Sequence, residues 1–284
     1  MYKAYFHLSR NPFELTPDPH CFVPTPTHND ALAALYYGVR RHKGFVVVTG
    51  EVGTGKTLLL RCLLRLLENS KDIGYAYLFN SRLSPTDFLQ YVLSDFGLNS
   101  SGKNKCELLL DLSKFLVARG SRKMTTVLIV DEAHDLPVDT MEELRLLSNL
   151  ETAEDKLLQI VLVGQPELDK KLDSLELRQL KQRIALRTQL GPLTAKQTQT
   201  YIEQRLRIAG SDANSRSLFS PQAIAEVHSF SRGFPRLINI ICENALVGAY
   251  ARHSPMVTEG IIEDVAAELR LEAYGLSQQN AQAG

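Results

Sequence analysis

Between residues 45 and 190, short unbroken apolar runs alternate with longer stretches whose apolar positions recur every three or four residues. Phe45-Val46-Val47-Val48-Thr49 ends at Gly50, Thr126–Val130 ends at Asp131, and Gln159–Gly164 ends at Gln165. Runs this short and this continuous predict parallel strands covered on both faces. Ile73–Asn80 and Ile184–Leu190 predict two more strands. Between them the helical period predicts helices over Thr57–Leu67, Ser84–Gly97, Leu108–Arg119 and Val138–Leu150, with a polar helical region reaching Arg183. The opening Ser84-Pro85 places a cap and then a proline at the first helical position. Five strands with intervening helices predict an α/β fold, a mostly parallel sheet with helices on both faces.

The pattern changes at both ends. After Gly191-Pro192 only helices are predicted, over Ala195–Ala209, Pro221–Ser231, Phe234–Arg252 and Thr258–Glu272. Before it, residues 1–27 carry prolines at 12, 17, 19, 24 and 26 together with Tyr5, Phe6, Phe13 and Phe22, which predicts an extended strap pinned by its aromatics. Thr27 or Asn29 is expected to cap the next helix, through Ala31, Leu32, Leu35, Tyr36 and Val39. The expected organisation is therefore a strap at 1–27, an α/β domain at 28–192, a helical lid at 193–273 and a polar tail at 274–284.

The octet Gly50-Glu51-Val52-Gly53-Thr54-Gly55-Lys56-Thr57 matches G-x-x-x-x-G-K-[ST], and it sits between a buried strand and a leucine-rich helix. Such a loop wraps backbone N–H groups around phosphates at a helix N-terminus. Lys56 would reach the β- and γ-phosphates, and the Thr57 hydroxyl would hold Mg²⁺. The strand 127–130 ends in Asp131-Glu132. Two carboxylates at the end of a buried strand are expensive without a task. In a P-loop nucleoside-triphosphatase the first acid holds Mg²⁺ and the second takes a proton from the attacking water, whereas a purely structural Asp131 would cap the next helix. The quartet Asp-Glu-Ala-His at 131–134 also occurs in helicases, but those need two similar sheet domains and only helices follow residue 192. His134 is read as a loop or supporting residue rather than a catalytic one.

Gln165 and Asn80 close strands, where a polar side chain can serve either the reaction or the turn. Gln165 could contact the γ-phosphate or the attacking water, and Asn80 could hold Glu132 back. Arg183, just before the last strand, is the candidate for stabilising transition-state charge, with Arg178 and Arg187 as rivals in the same polar stretch. Arg236, in Gly233-Phe234-Pro235-Arg236, is the candidate on the lid. Pro12, Phe13 and Phe22 could line a base pocket, and packing explains them equally well.

Charge and cysteines narrow the setting. Lys+Arg and Asp+Glu both number 32, which lowers the expectation of a whole-molecule polyanion binder. Four scattered cysteines, 21, 62, 106 and 242, fit a reducing compartment. No apolar run is long enough to span a bilayer, and the first residues lack a secretory layout. A cytoplasmic protein is expected, membrane-associated only through a partner.

The order of phosphate loop, Asp-Glu strand, polar strand end, pre-strand arginine and Gly-x-Pro-Arg resembles the AAA+ ATPases over roughly residues 28–272. Tyr5-Phe6, Asn11-Pro12-Phe13, Leu15–Pro19, Thr25–His28, Gly164–Leu168 and the Leu-x-Gln-Arg stretch at 180–183 resemble the ExeA family within it. That resemblance implies ATP and Mg²⁺ as cofactors and hydrolysis between subunits of a homo-oligomer. Lys56, Thr57, Asp131 and Glu132 would lie in one subunit, Arg183 would come from its neighbour, and Arg236 would act from the lid. It also implies a protein partner in an envelope secretion, pilus or exopolysaccharide system. Secretion members continue into a membrane span and a peptidoglycan-binding domain, whereas this sequence stops at Gly284, so a separate membrane partner is expected to replace them. The alternatives are a DNA-associated AAA+ regulator of the transposition-helper or replication-loader type, and a nucleotide-gated interaction module with negligible turnover.

Overall fold

Strands β1 (Phe45–Gly50), β2 (Ile73–Leu78), β3 (Thr125–Val130), β4 (Gln159–Gly164) and β5 (Ile184–Leu190) form one sheet in the order β2-β3-β4-β1-β5, with every neighbouring pair parallel. The computed structural model describes residues 1–79, 82–152, 155–210 and 217–273. β1, β3 and β4 are buried at every position, as their continuous apolar sequences require. β5 alternates along an edge of the sheet.

The chain divides into two units, one of residues 26–52 and 56–190, the other of residues 1–25, 53–55 and 191 onward. In the first, the two faces of the sheet are covered by different helices. Phe45, Val47, Ala76, Leu78, Leu128, Val130, Ile160 and Leu162 join one core with α4 (Pro85–Asp95), α5 (Lys105–Ser121), α6 (Val138–Leu147), α7 (Pro166–Leu172) and α8 (Arg178–Lys181). Alternate residues such as Val46, Val48 and Val161 face the other way, the side where α2 (Pro26–Arg40) and α3 (Lys56–Glu68) pack. α2 starts at Pro26, before the expected caps, because proline's fixed φ already suits a first helical position. β2 ends at Leu78, and Asn80 lies outside the described residues. The polar region after β4 splits into the short helices α7 and α8.

The second unit combines the strap with α9 (Ala195–Ile208), α10 (Pro221–Ser231), α11 (Pro235–Ala251) and α12 (Glu259–Glu268). The strap contains one helical turn, α1 (Tyr2–Tyr5), and a 3₁₀ turn at Pro19–Cys21, and is otherwise irregular. Its aromatics enter the helical core. Phe13 is fully buried and meets Phe219 edge-on at 5.9 Å, so packing accounts for it. Tyr2 Oη donates to Glu243 at 2.8 Å, and Ser9 N donates to the Ala209 carbonyl at 2.7 Å.

Arg205 is the polar centre of this unit. It is 3% exposed. Its Nε donates to the Pro12 carbonyl at 2.6 Å, Nη2 to the Glu14 carbonyl at 3.3 Å, and Nη1 to Tyr201 Oη at 3.0 Å. Tyr201 in turn donates to Asn239 Oδ1 at 2.9 Å. A buried guanidinium is tolerable only with such acceptors, and its loss would orphan two strap carbonyls. Arg205→Leu is expected to lower unfolding free energy by about 2–4 kcal/mol and to open residues 1–25 to protease. An unchanged denaturation midpoint and cleavage pattern would refute this.

Candidate functional site

The parallel register brings three strand ends to one edge of the sheet. β4 lies between β3 and β1, pairing Val130 with Leu162 and Thr49 with Gly164. Asp131, Gln165 and the loop after Gly50 therefore leave from neighbouring strands at their carboxyl ends, the usual ligand edge of an open parallel sheet.

The phosphate-loop sequence forms a tight turn. Gly53 and Gly55 have φ of +84° and +98°, values that side-chain-bearing residues seldom adopt. Thr54 is fully buried, Glu51 and Val52 are exposed, and Thr57 is partly buried on the first turn of α3. Lys56 is also buried, and its Nζ donates to the carbonyls of Gly50 at 2.8 Å and Glu51 at 3.0 Å. Burial pulls its pKa below the usual lysine range, while Glu132, Asp131, Glu51 and Glu167 act in the opposite direction. A cation thus sits over a loop of N–H groups at the start of a 13-residue helix, where polyphosphate is favoured.

Asp131 is 6% exposed. It accepts from Tyr77 Oη at 3.0 Å and from Glu132 N at 2.9 Å. Burial raises its pKa above the carboxylate range, against those two hydrogen bonds and Lys56. Tyr77 is pushed well up by burial and by the Asp131 charge. The sequence alone assigns no role to Tyr77. Its signal was a polar-tipped aromatic one place before Leu78, which pairs with Val130, and that register is visible only once β2 is known to adjoin β3.

Glu132 adopts a left-handed backbone, φ 49° and ψ 41°, and opens a 3₁₀ turn over Ala133–Asp135. For a residue with a Cβ this conformation costs about 1–2 kcal/mol, a strain typical of functional turns. His134 Nδ1 lies 3.4 Å from Glu132 Oε2 and 3.5 Å from Gln165 N. A Cβ on Gly164 would stand 3.2 Å from His134 N, so a bare glycine lets the two strand exits approach. Lys171 of α7 closes the turn, its Nζ donating to the carbonyls of His134 at 2.5 Å and Leu136 at 2.7 Å.

The arginines lie elsewhere. Arg183 precedes β5, whose first residue pairs with the first of β1, while Gly50 pairs with Leu190 at the far end. Five rises of about 3.3 Å put it roughly 16 Å along the sheet from its own phosphate loop. Its Nη1 donates to Ser148 Oγ at 2.8 Å. Arg187 is bound by Asp169 at 2.5 Å and Asp173 at 3.4 Å, and Arg178 is exposed on α8. Arg236 opens α11, and its N–H donates to the Gly53 carbonyl at 3.2 Å within the unit that holds both.

The hard oxygens of Thr57 and Asp131 suit Mg²⁺, and a cation there would offset the burial that disfavours the Asp131 charge. The burial carries a prediction about stability. Asp131→Asn keeps an acceptor for Tyr77 and removes the buried charge, so without nucleotide its melting temperature at pH 8 should exceed that of the parent. A lower one would show that Asp131 is already compensated.

Comparison with known proteins is consistent with this geometry. A family profile described as an AAA domain matches residues 39–172. General secretion pathway protein A of Aeromonas hydrophila is 43% identical over 270 residues, which is 95% of this chain and 48% of that protein. The chain therefore spans about half the length of this curated relative. Among solved structures, the Aeropyrum pernix ORC2 protein, in ADPNP-ADP complexes, superposes with a TM-score of 0.66 at 16% identity, covering 92% of this chain and 72% of that one. Cdc6p from Pyrobaculum aerophilum gives 0.67 at 17%, covering 90% and 70%. The Thermotoga maritima RuvB Holliday junction branch migration motor gives 0.60 at 15%, covering 93% and 75%. At such identities these structures speak to the fold alone. With its parallel β2-β3-β4-β1-β5 sheet and its phosphate loop, the chain carries an AAA domain match over residues 39–172 and is similar to general secretion pathway protein A over 95% of its own length.

Proposed function

We propose that the chain binds and hydrolyses ATP, and that hydrolysis drives or switches assembly of envelope machinery of the secretion, pilus or exopolysaccharide type. The observation that carries the reading is the meeting of buried Lys56 and its phosphate loop with Asp131, Glu132 and Gln165 at one sheet edge.

In this reading backbone N–H groups of residues 50–57 and the Lys56 ammonium bind the triphosphate. Lys56 would exchange its Gly50 and Glu51 carbonyls for β- and γ-phosphate oxygens. Thr57 and Asp131 would hold Mg²⁺, which when bound neutralises charge on the phosphates. Tyr77 orients Asp131 by its hydrogen bond. Glu132 accepts a proton from the attacking water, and Gln165 orients that water or the γ-phosphate. Arg236, whose N–H donates to the Gly53 carbonyl, would be a further nucleotide contact.

Arg183 is assigned to a neighbouring subunit's site, because its own phosphate loop lies at the opposite end of the strands. That assignment makes the active form a homo-oligomer. The envelope partner is supported by the identity to general secretion pathway protein A. No helix among the described residues is long and apolar enough to cross a membrane.

Mutants separate the roles. Lys56→Ala is expected to abolish ATP binding. Glu132→Gln should bind ATP with near-parental affinity and turn over about 10²–10⁴-fold more slowly. Arg183→Ala should bind ATP and lose turnover, and mixing it with Lys56→Ala subunits should restore part of the activity. Absence of any rescue, at a concentration where the parent oligomerises, would count against a shared site. A salt-dependent shift of duplex DNA by the purified protein would favour the DNA-associated reading instead.

A further inference from the structure

We propose that His134 is a positioning residue for Glu132, coupling the hydrolytic base to the strand end that carries Gln165; the proposal rests on the ATPase reading above. One ring atom, His134 Nδ1, stands between Glu132 Oε2 at 3.4 Å and Gln165 N at 3.5 Å. The two neighbours make opposite demands. A carboxylate oxygen needs a hydrogen on Nδ1, whereas a backbone N–H needs its lone pair. Nδ1 can serve only one of them at a time, and the choice is the choice of imidazole tautomer.

The structure holds a second sign of this competition. Glu132 Oε2 is shielded from solvent and accepts no hydrogen bond, although about 44% of the side chain is exposed. Other buried carboxylate oxygens at this edge are satisfied, as Asp131 is by Tyr77 and the Glu132 N–H. With Nδ1 accepting from Gln165, Oε2 is left without a donor and the carboxylate keeps its full basicity as a proton acceptor. With hydrogen on Nδ1, the imidazole holds the carboxylate and the Gln165 N–H loses its acceptor. A shift of the Gln165 strand end, the segment next to the transferring phosphate, therefore changes the hold on Glu132.

The ring is not needed to build the turn. Lys171 Nζ ties the His134 and Leu136 carbonyls, and the close approach to Gly164 involves His134 backbone. Arg82 grips the same turn separately through Asp135, at 3.1 Å. Removing the imidazole thus removes the link and leaves the scaffold.

The test exploits the shapes of two amides. Asparagine can place a polar atom near the Nδ1 position, whereas glutamine reaches toward that of Nε2. His134→Ala, His134→Asn and His134→Gln would be compared in the full chain for ATP turnover and for affinity toward a fluorescent N-methylanthraniloyl ADP. Ala and Gln should lower kcat about 10–100-fold, as displacement of a reacting group by a fraction of an ångström to an ångström does, with KM and ADP affinity within about twofold. Asn should stay within about threefold of the parent in kcat. Parental kcat in all three variants, a loss carried by KM or ADP affinity, or rescue by Gln and not Asn would each overturn the proposal. If the parent itself bound ADP but turned over no ATP in any oligomeric form, the ATPase reading would fall and this proposal with it. Active parent with unaffected variants would remove only the role of His134.

Discussion

Carboxylate charge at the end of a doubly covered sheet is the constraint around which the described site is arranged. β3 is buried throughout and then delivers Asp131 and Glu132 in succession, so the fold must answer two negative charges within one turn of chain. It answers them differently. Asp131 stays deep and receives a phenol and a backbone amide, yet burial still disfavours its charge. Glu132 is thrown outward by a left-handed residue and keeps one oxygen without a donor. Lys56, itself buried, is the nearby positive charge, and its ammonium rests on loop carbonyls. Each of these arrangements is costly for a resting protein, in keeping with the usual trade of stability against activity.

Much of this was legible in the sequence because it is local. The phosphate loop is eight consecutive residues, and the Asp-Glu pair directly follows its strand. β4 and β5 have the predicted limits and β1 runs one residue further, to Gly50, since glycine or proline stands at or just beyond each strand's end. What sequence could not supply was adjacency. Tyr77 touches Asp131 only because β2 lies beside β3, and His134 meets Gln165 only because β4 lies beside β3. The spacing of 31 residues between His134 and Gln165 carries no mark of this. Arg187 shows the same limit from the other side. Along the chain it resembles Arg183, and only the fold gives it Asp169 and Asp173 as partners.

The strap is a third case. Its prolines announced irregular backbone and its aromatics announced burial, but neither indicated a partner. That partner is a set of helices almost the full chain away, reached through Phe13, Tyr2 and the carbonyls of Pro12 and Glu14. Nothing in the sequence marks Arg205, which cannot be told from its exposed neighbour Arg207 until the fold is known.

That long reach has a consequence for biosynthesis. Pro12 is separated from Arg205 by 193 residues, and Tyr2 from Glu243 by 241. At translation rates of about 5–20 residues per second, the strap emerges some 10–40 s before Arg205 is made. Throughout that interval the strap lacks the partners that lie beyond Arg205, among them Phe219 and Glu243, while the sheet unit is synthesised and can begin to fold. The strap, made well before its partners, is thus among the last of the described segments to be buried, which makes it a natural place for a chaperone to hold the nascent chain.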